Sequence, residues 1–162
     1  MANTWVFNEP FSVPQLITDT STTQTLPIGS RVKATHSTYG QAEFVYLKGL
    51  ASTAVGELVI FDQYANTTTR AVAGSRGAAA VAMSANVASQ YGWYAIAGSV
   101  PIKAGTVAAN GAVYVTATAG TVDDAVVSGD KVDGARFKTA DGTPSAGLAI
   151  AQLSRPALNG NG

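Results

Sequence analysis

His36 is the single histidine of the chain, and there is no cysteine. A hydrolytic triad needs a nucleophile, a base and an acid that orients the base. His36 is therefore the one conventional base on offer, and it stands in KATHSTYG, a polar, loop-like stretch. No Gly-x-Ser-x-Gly elbow presents a nucleophile, so His36 reads as a surface-loop histidine. One imidazole without a thiolate cannot build a zinc site of the usual type. Acidic residues gather late, at Asp123, Asp124, Asp130, Asp133 and Asp141. Carboxylates suit hard cations, but TVDDAVVSGDKVDGARF misses the D-x-[DN]-x-[DN]-G calcium pattern. Solvated hairpin turns are the expectation there. The 10 acids of the chain include no pair in a recognisable glycosidase context. Gly74-Ser75-Arg76-Gly77 lacks the Gly-Lys-Ser/Thr ending of a phosphate loop. Tyr91, Trp93 and Tyr94 could stack on a sugar or a base. Strand alternation, however, puts Tyr91 and Trp93 on one face and Tyr94 on the other, and at least one face must be core. The expectation is no catalytic residue, no cofactor and no metal.

The composition points the same way. Of 162 residues, 46% are hydrophobic and 12% charged, about half the ordinary charged share of ~25%. Such a surface is covered by Ser, Thr, Asn, Gly and Ala, or by another protein. Net charge is zero, which favours association. The basic residues, among them Arg31, Lys33, Arg76, Lys103 and Arg155, are scattered and form no run that could track phosphates. Direct nucleic-acid binding is not expected. The N-terminus MANTWVFNEPF lacks a basic region followed by an apolar one, and no apolar run reaches the ~18 residues of a membrane span. A soluble chain made in the cytoplasm is expected, with no membrane partner.

Two regions are distinguished. Residues 1–30 carry three prolines, many Thr and Ser, and bulky residues at intervals: Trp5, Phe7, Phe11, Val13, Leu16 and Ile17. Prolines oppose a long helix, and disordered arms are normally poor in aromatics. This reads as an extended arm that docks its apolar residues, either back on its own domain or on a neighbouring chain. The second fate is the one preferred, and it makes those residues the candidate contacts. Residues 31–162 read as a β-rich domain with a short flexible C-terminal tail. AEFVYLKG alternates Phe44 and Tyr46 against Val45 and Leu47, and GELVIFD has the length of a buried strand. TTTRAVA is β-branched. YGWYAIAG and SVPIKAG read as two strands, the second an edge or bulge because Pro101 cannot donate to a ladder. Asn110-Gly111 opens a further strand, and ARFKTADG and GLAIAQLSRP complete the set. The Ala-rich stretch 73–90 is assigned a strand over about Ala78–Ser84 and a short turn or helical turn at Asn86–Gln90, with a helix as the alternative because alanine favours it. The predicted class is all-β, a small barrel or sandwich of about eight short strands.

The collinear set LPIGSRVKA, YGQAEFVYLKGLAS, VGELVIFD, AAVAMSANVASQYGWYAIAG, GAVYVTATAGTVDDA and GDKVDGARFKTADGTPSAGLAIAQLSRP resembles the capsid decoration (cement) proteins of tailed bacteriophages, over roughly residues 27–156. The resemblance implies a non-enzymatic virion protein on the outer surface of the expanded capsid. It implies the major capsid protein as partner, self-association as a homotrimer, and a shell strengthened against internal DNA pressure. It also implies an arm that engages the capsid or an adjacent copy. The alternatives are another virion structural protein, such as a head-fibre base or tail component, and a carbohydrate-binding module that uses Trp93 or Trp5. An enzyme built on His36 is the remaining alternative.

Overall fold

A computed structural model describes residues 4–8, 13–50 and 52–160. Among the described residues the protein is all-β, with eleven strands in one antiparallel sheet that is not closed into a barrel. The strands are β1 (Trp5–Phe7), β2 (Arg31–His36), β3 (Gly40–Lys48), β4 (Leu58–Asp62), β5 (Thr67–Arg70) and β6 (Gly77–Ala82). They continue with β7 (Tyr91–Lys103), β8 (Ala112–Val115), β9 (Val122–Asp123), β10 (Lys131–Phe137) and β11 (Leu148–Leu158). Their order is β1-β2-β3-β7-β6-β11-β10-β8-β9, with β4 between β5 and β6, and β7 also pairs with β11. One isolated parallel bridge, Ala104 to Val122, brings the β9 end back beside β7.

The expected eight or so strands in a barrel or sandwich are thus corrected to eleven in a single sheet that does not close. The differences have local causes. β2 was not legible as a strand because two of its inward residues, Ala34 and His36, carry a weak apolar signal; its burial nonetheless alternates strictly, with Val32, Ala34 and His36 in and Arg31, Lys33 and Thr35 out. β1 and β9 are three and two residues long, too short to show a period. The two strands expected on either side of Gly98 are one strand of 13 residues. Along one edge of that strand residues 91–97 pair with β3, and along the other Tyr94 and Ala95 pair with β6 and residues 97–103 with β11. Pro101 faces Ile150 in the β11 ladder, beyond the end of the β3 and β6 pairings, so its missing N–H breaks no second ladder.

β3 and β7 lie between two apolar clusters. Phe44, Tyr46 and Trp93 face the larger one, with Val32, Val113, Phe137 and Leu153. Val45, Leu47, Tyr94 and Ile96 face the smaller, with Val59, Ala80 and Ala82. The alternation along AEFVYLKG and YGWYAIAG is therefore real, but both of its faces are buried. Small residues such as Ala42, Ala79, Ala95, Ala149 and Ala151 let the strands approach closely, while the aromatic and branched residues supply most of the buried area. The Tyr94 hydroxyl accepts a hydrogen bond from Asn86 Nδ2 at 3.2 Å. Burial pushes its pKa up to about 12, so it stays neutral and contributes no charge to the interior.

Candidate interaction surface: the N-terminal arm

The described arm residues fold back over the edge of their own domain. β1 pairs with β2 in the register Trp5–His36, Val6–Thr35, Phe7–Ala34. Strand alternation turns Trp5 inward, 8% exposed, and Val6 outward, 63% exposed. Trp5 meets Phe44 edge-on with centroids 4.9 Å apart, and its ring lies 5.0 Å from His36. His36 in turn stacks on Tyr39 at 4.3 Å, and its Nδ1 accepts from the Thr38 N–H at 3.0 Å. His36 is thus a buried strand residue in an aromatic cluster, which corrects its reading as a surface-loop side chain.

Farther along, Val13, Gln15 and Ile17 turn inward while Pro14 and Leu16 turn outward. Gln15 holds this part of the arm down. Its Nε2 donates to the carbonyls of Tyr91 (2.8 Å) and Asp19 (3.0 Å). Its Oε1 accepts from the Tyr46 hydroxyl (3.0 Å), and its own carbonyl accepts from Trp93 Nε1 (3.0 Å). Charge-free hydrogen bonds of this kind contribute about 1 kcal/mol each, and leaving one buried partner unpaired costs more. Beyond them, Ser21 and Tyr91 form an isolated antiparallel bridge.

The candidate contacts therefore divide. Trp5 and Ile17 are buried in the larger cluster of their own chain, and Phe7 and Val13 are half-buried against it. Leu16 points outward, 56% exposed. Phe11 lies outside the described residues, as do residues 161–162 of the expected C-terminal tail. The sequence reading missed Val6, which is exposed as Leu16 is, and Gln15. The signal for Gln15 was present: it sits at the centre of an alternating Val13-x-Gln15-x-Ile17. Trp93, 1% exposed, and Trp5 are both covered, so neither offers a sugar-stacking platform.

Charged side chains with the groups to do chemistry are engaged in holding turns. Glu57 is buried; its Oε1 accepts from Arg70 (2.6 Å) and Lys103 (2.9 Å), and its Oε2 from the Ala54 N–H (3.0 Å). Arg70 also donates to the Ala119 carbonyl at 2.9 Å. Burial pushes the Glu57 carboxyl upward, but the Ala54, Lys103 and Arg70 hydrogen bonds and the Lys103 charge together outweigh it and hold it below its ordinary value. The stabilisation this gives is present above the unfolded-state pKa and is lost as pH falls through the lower folded-state pKa. Glu57→Gln is expected to cost about 2 kcal/mol near pH 7, from charge-assisted bonds lost. Urea unfolding near pH 7 and near pH 3 checks this: wild type should lose more stability on acidification than the variant, and equal losses would reject the assignment.

Asp130 is buried too; it accepts from the Gly74 N–H at 2.8 Å and lies 3.7 Å from Arg76. The Gly74–Gly77 turn does hold an anion, and the anion is the chain's own carboxylate. Asp141 accepts from the Val107 N–H at 2.9 Å and Asp124 from the Ala108 N–H at 2.8 Å. Among the described residues no cluster of His, Cys, Asp or Glu is placed to hold a metal ion, and no helix is long and apolar enough to cross a membrane. No protein-family model matches the chain, and no curated protein matches it either.

Proposed function

We propose that this chain is a structural virion protein that binds the outside of an expanded phage capsid, bridges capsid subunits and associates with copies of itself. The resemblance to decoration proteins over roughly residues 27–156 carries this reading. It is supported by a charge-poor surface and by chemistry-capable residues that are spent internally: His36 in an aromatic cluster, and the buried carboxylates of Glu57 and Asp130 in ion pairs. The arm's outward residues, Val6 and Leu16, are the contacts it offers to a shell. Interfaces place apolar and aromatic residues at their centres and deplete Lys and Glu there. Many copies on a rigid lattice turn a weak single contact into firm attachment.

Co-sedimentation with emptied heads of the source phage, beside unexpanded proheads, tests this. Saturable binding to expanded heads alone, in fixed ratio to the major capsid protein, is the expected result. Val6→Asp with Leu16→Asp should weaken that binding about tenfold or more, a loss of one or two anchors, with unfolding midpoints little changed because both side chains are exposed. Absence of binding to either shell would overturn the reading.

A further inference from the structure

Two surfaces of this chain are complementary to each other. The first is a shallow hollow of about 140 Å³ with an apolar floor of Phe61, Ala78, Ile96 and Pro156 and a rim of Arg31 and Arg155. Its volume is close to that of a cavity which takes up one benzene-sized group. Both rim arginines share one carboxylate: Glu43 lies 3.0 Å from Arg155 and 3.7 Å from Arg31. Lys33 stands opposite Glu43 in the β2–β3 ladder and is exposed. Three cations against one anion leave this face with a positive excess.

The second surface is the tip of the β9–β10 connection. Val126 is 78% exposed and Val127 45%, adjacent in the loop after β9. Asp123 and Asp124 precede them, and neither is ion-paired among the described residues. The loop is braced: Asp123 Oδ1 accepts from the Ala125 N–H at 3.1 Å, and Asp124 Oδ2 from the Ala108 N–H. The tip thus presents two carboxylates and two branched apolar side chains in a fixed order. The hollow presents an apolar seat with two guanidinium groups at its rim, each with donors beyond those that Glu43 occupies.

We propose that the Asp123–Val127 tip of one copy docks in the Arg31/Arg155 hollow of the next. The valines fill the apolar floor, and the aspartates meet the rim arginines. Within one chain the two surfaces do not meet: no residue of the Asp123–Val127 tip lines the hollow, and the ion pairs of both rim arginines among the described residues go to Glu43. The contact joins two different patches, so it is heterologous: a ring forms if the rotation closes, a filament if it does not. A net charge of zero puts no overall repulsion in the way. The inference specifies the self-association in the reading above and does not depend on capsid binding.

Sedimentation velocity of the full chain, without heads, tests it. Wild type should sediment faster with rising concentration, and added salt should weaken the association by screening the charges. A tip variant (Val126→Ser with Val127→Ser) and a rim variant (Arg155→Glu) should each associate about tenfold or more weakly. The two variants mixed should form a one-to-one dimer and nothing larger, because the tip variant keeps its hollow and the rim variant keeps its tip. That dimer also shows that both variants are folded. A wild type that stays monomeric, variants that associate as wild type does, or a mixture that fails to pair would each overturn the proposal. Head binding is read separately, so its loss or retention leaves this result distinct.

Discussion

Gly98→Ala is expected to destabilise the protein by about 3 kcal/mol or more, which for a domain of this size lowers the melting temperature by roughly 6–12 °C. Gly98 lies where the β3 ladder on one edge of β7 ends and the β11 ladder on the other edge has begun. Its φ is +96°, and a Cβ there would lie 2.6 Å from the Gln41 carbonyl oxygen and 2.7 Å from Ala42 Cα. Both obstacles are backbone of β3, held in its ladder with β2, so neither can swing aside as the end of a flexible side chain could. Gly142→Ala is the control: its φ is +92°, nearly the same strain, but nothing lies within 4 Å of its added Cβ. That variant should lose only about 1 kcal/mol, from backbone conformation alone. Guanidinium unfolding of both variants separates the terms. Equal losses would mean that the three-strand junction relaxes around a methyl group and is not closely packed.

That junction explains why the fold was only partly legible. Periodicity reports which residues of a strand face together, and Phe44/Tyr46 against Val45/Leu47 was read correctly from it. It does not report which strand lies alongside. A strand that pairs with β3 at one end and β11 at the other reads as two strands, because Gly98 and Pro101 punctuate it. β2 escaped notice for a different reason: Ala34 and His36 become core residues only through the arm that covers them, with Trp5 against His36. Glu57, interrupting an apolar run, gave no sign that Arg70 and Lys103, 13 and 46 residues away, would converge on it. The candidate surface suffered in the same way. Apolar residues in the arm were visible, but their alternation decides which are spent at home and which remain outside.

Trp5→Ala should destabilise the whole domain by about 3 kcal/mol, the lower end of what a buried Trp→Ala change costs, because water can reach a sheet edge more easily than a core centre. The ring fills the space beside Phe44, His36 and Tyr39. The substitution leaves Trp93 as the single tryptophan, and Trp93 donates to the Gln15 carbonyl from beneath the arm. Its fluorescence therefore reports arm release, while far-UV circular dichroism reports the sheet. If the arm is part of the cooperative unit, both signals fall together at a lower denaturant midpoint with unchanged m. A Trp93 change that precedes the loss of circular dichroism would instead show an arm that detaches while the sheet stands. The outcome bears on function. An arm integrated with the domain cannot be lent to a partner without losing Trp5, Ile17 and the Gln15 hydrogen bonds, and that loss comes out of any binding free energy. Contact with a shell would then fall to the side chains the arm already turns outward, Val6 and Leu16, with Trp5 acting only to hold them in place.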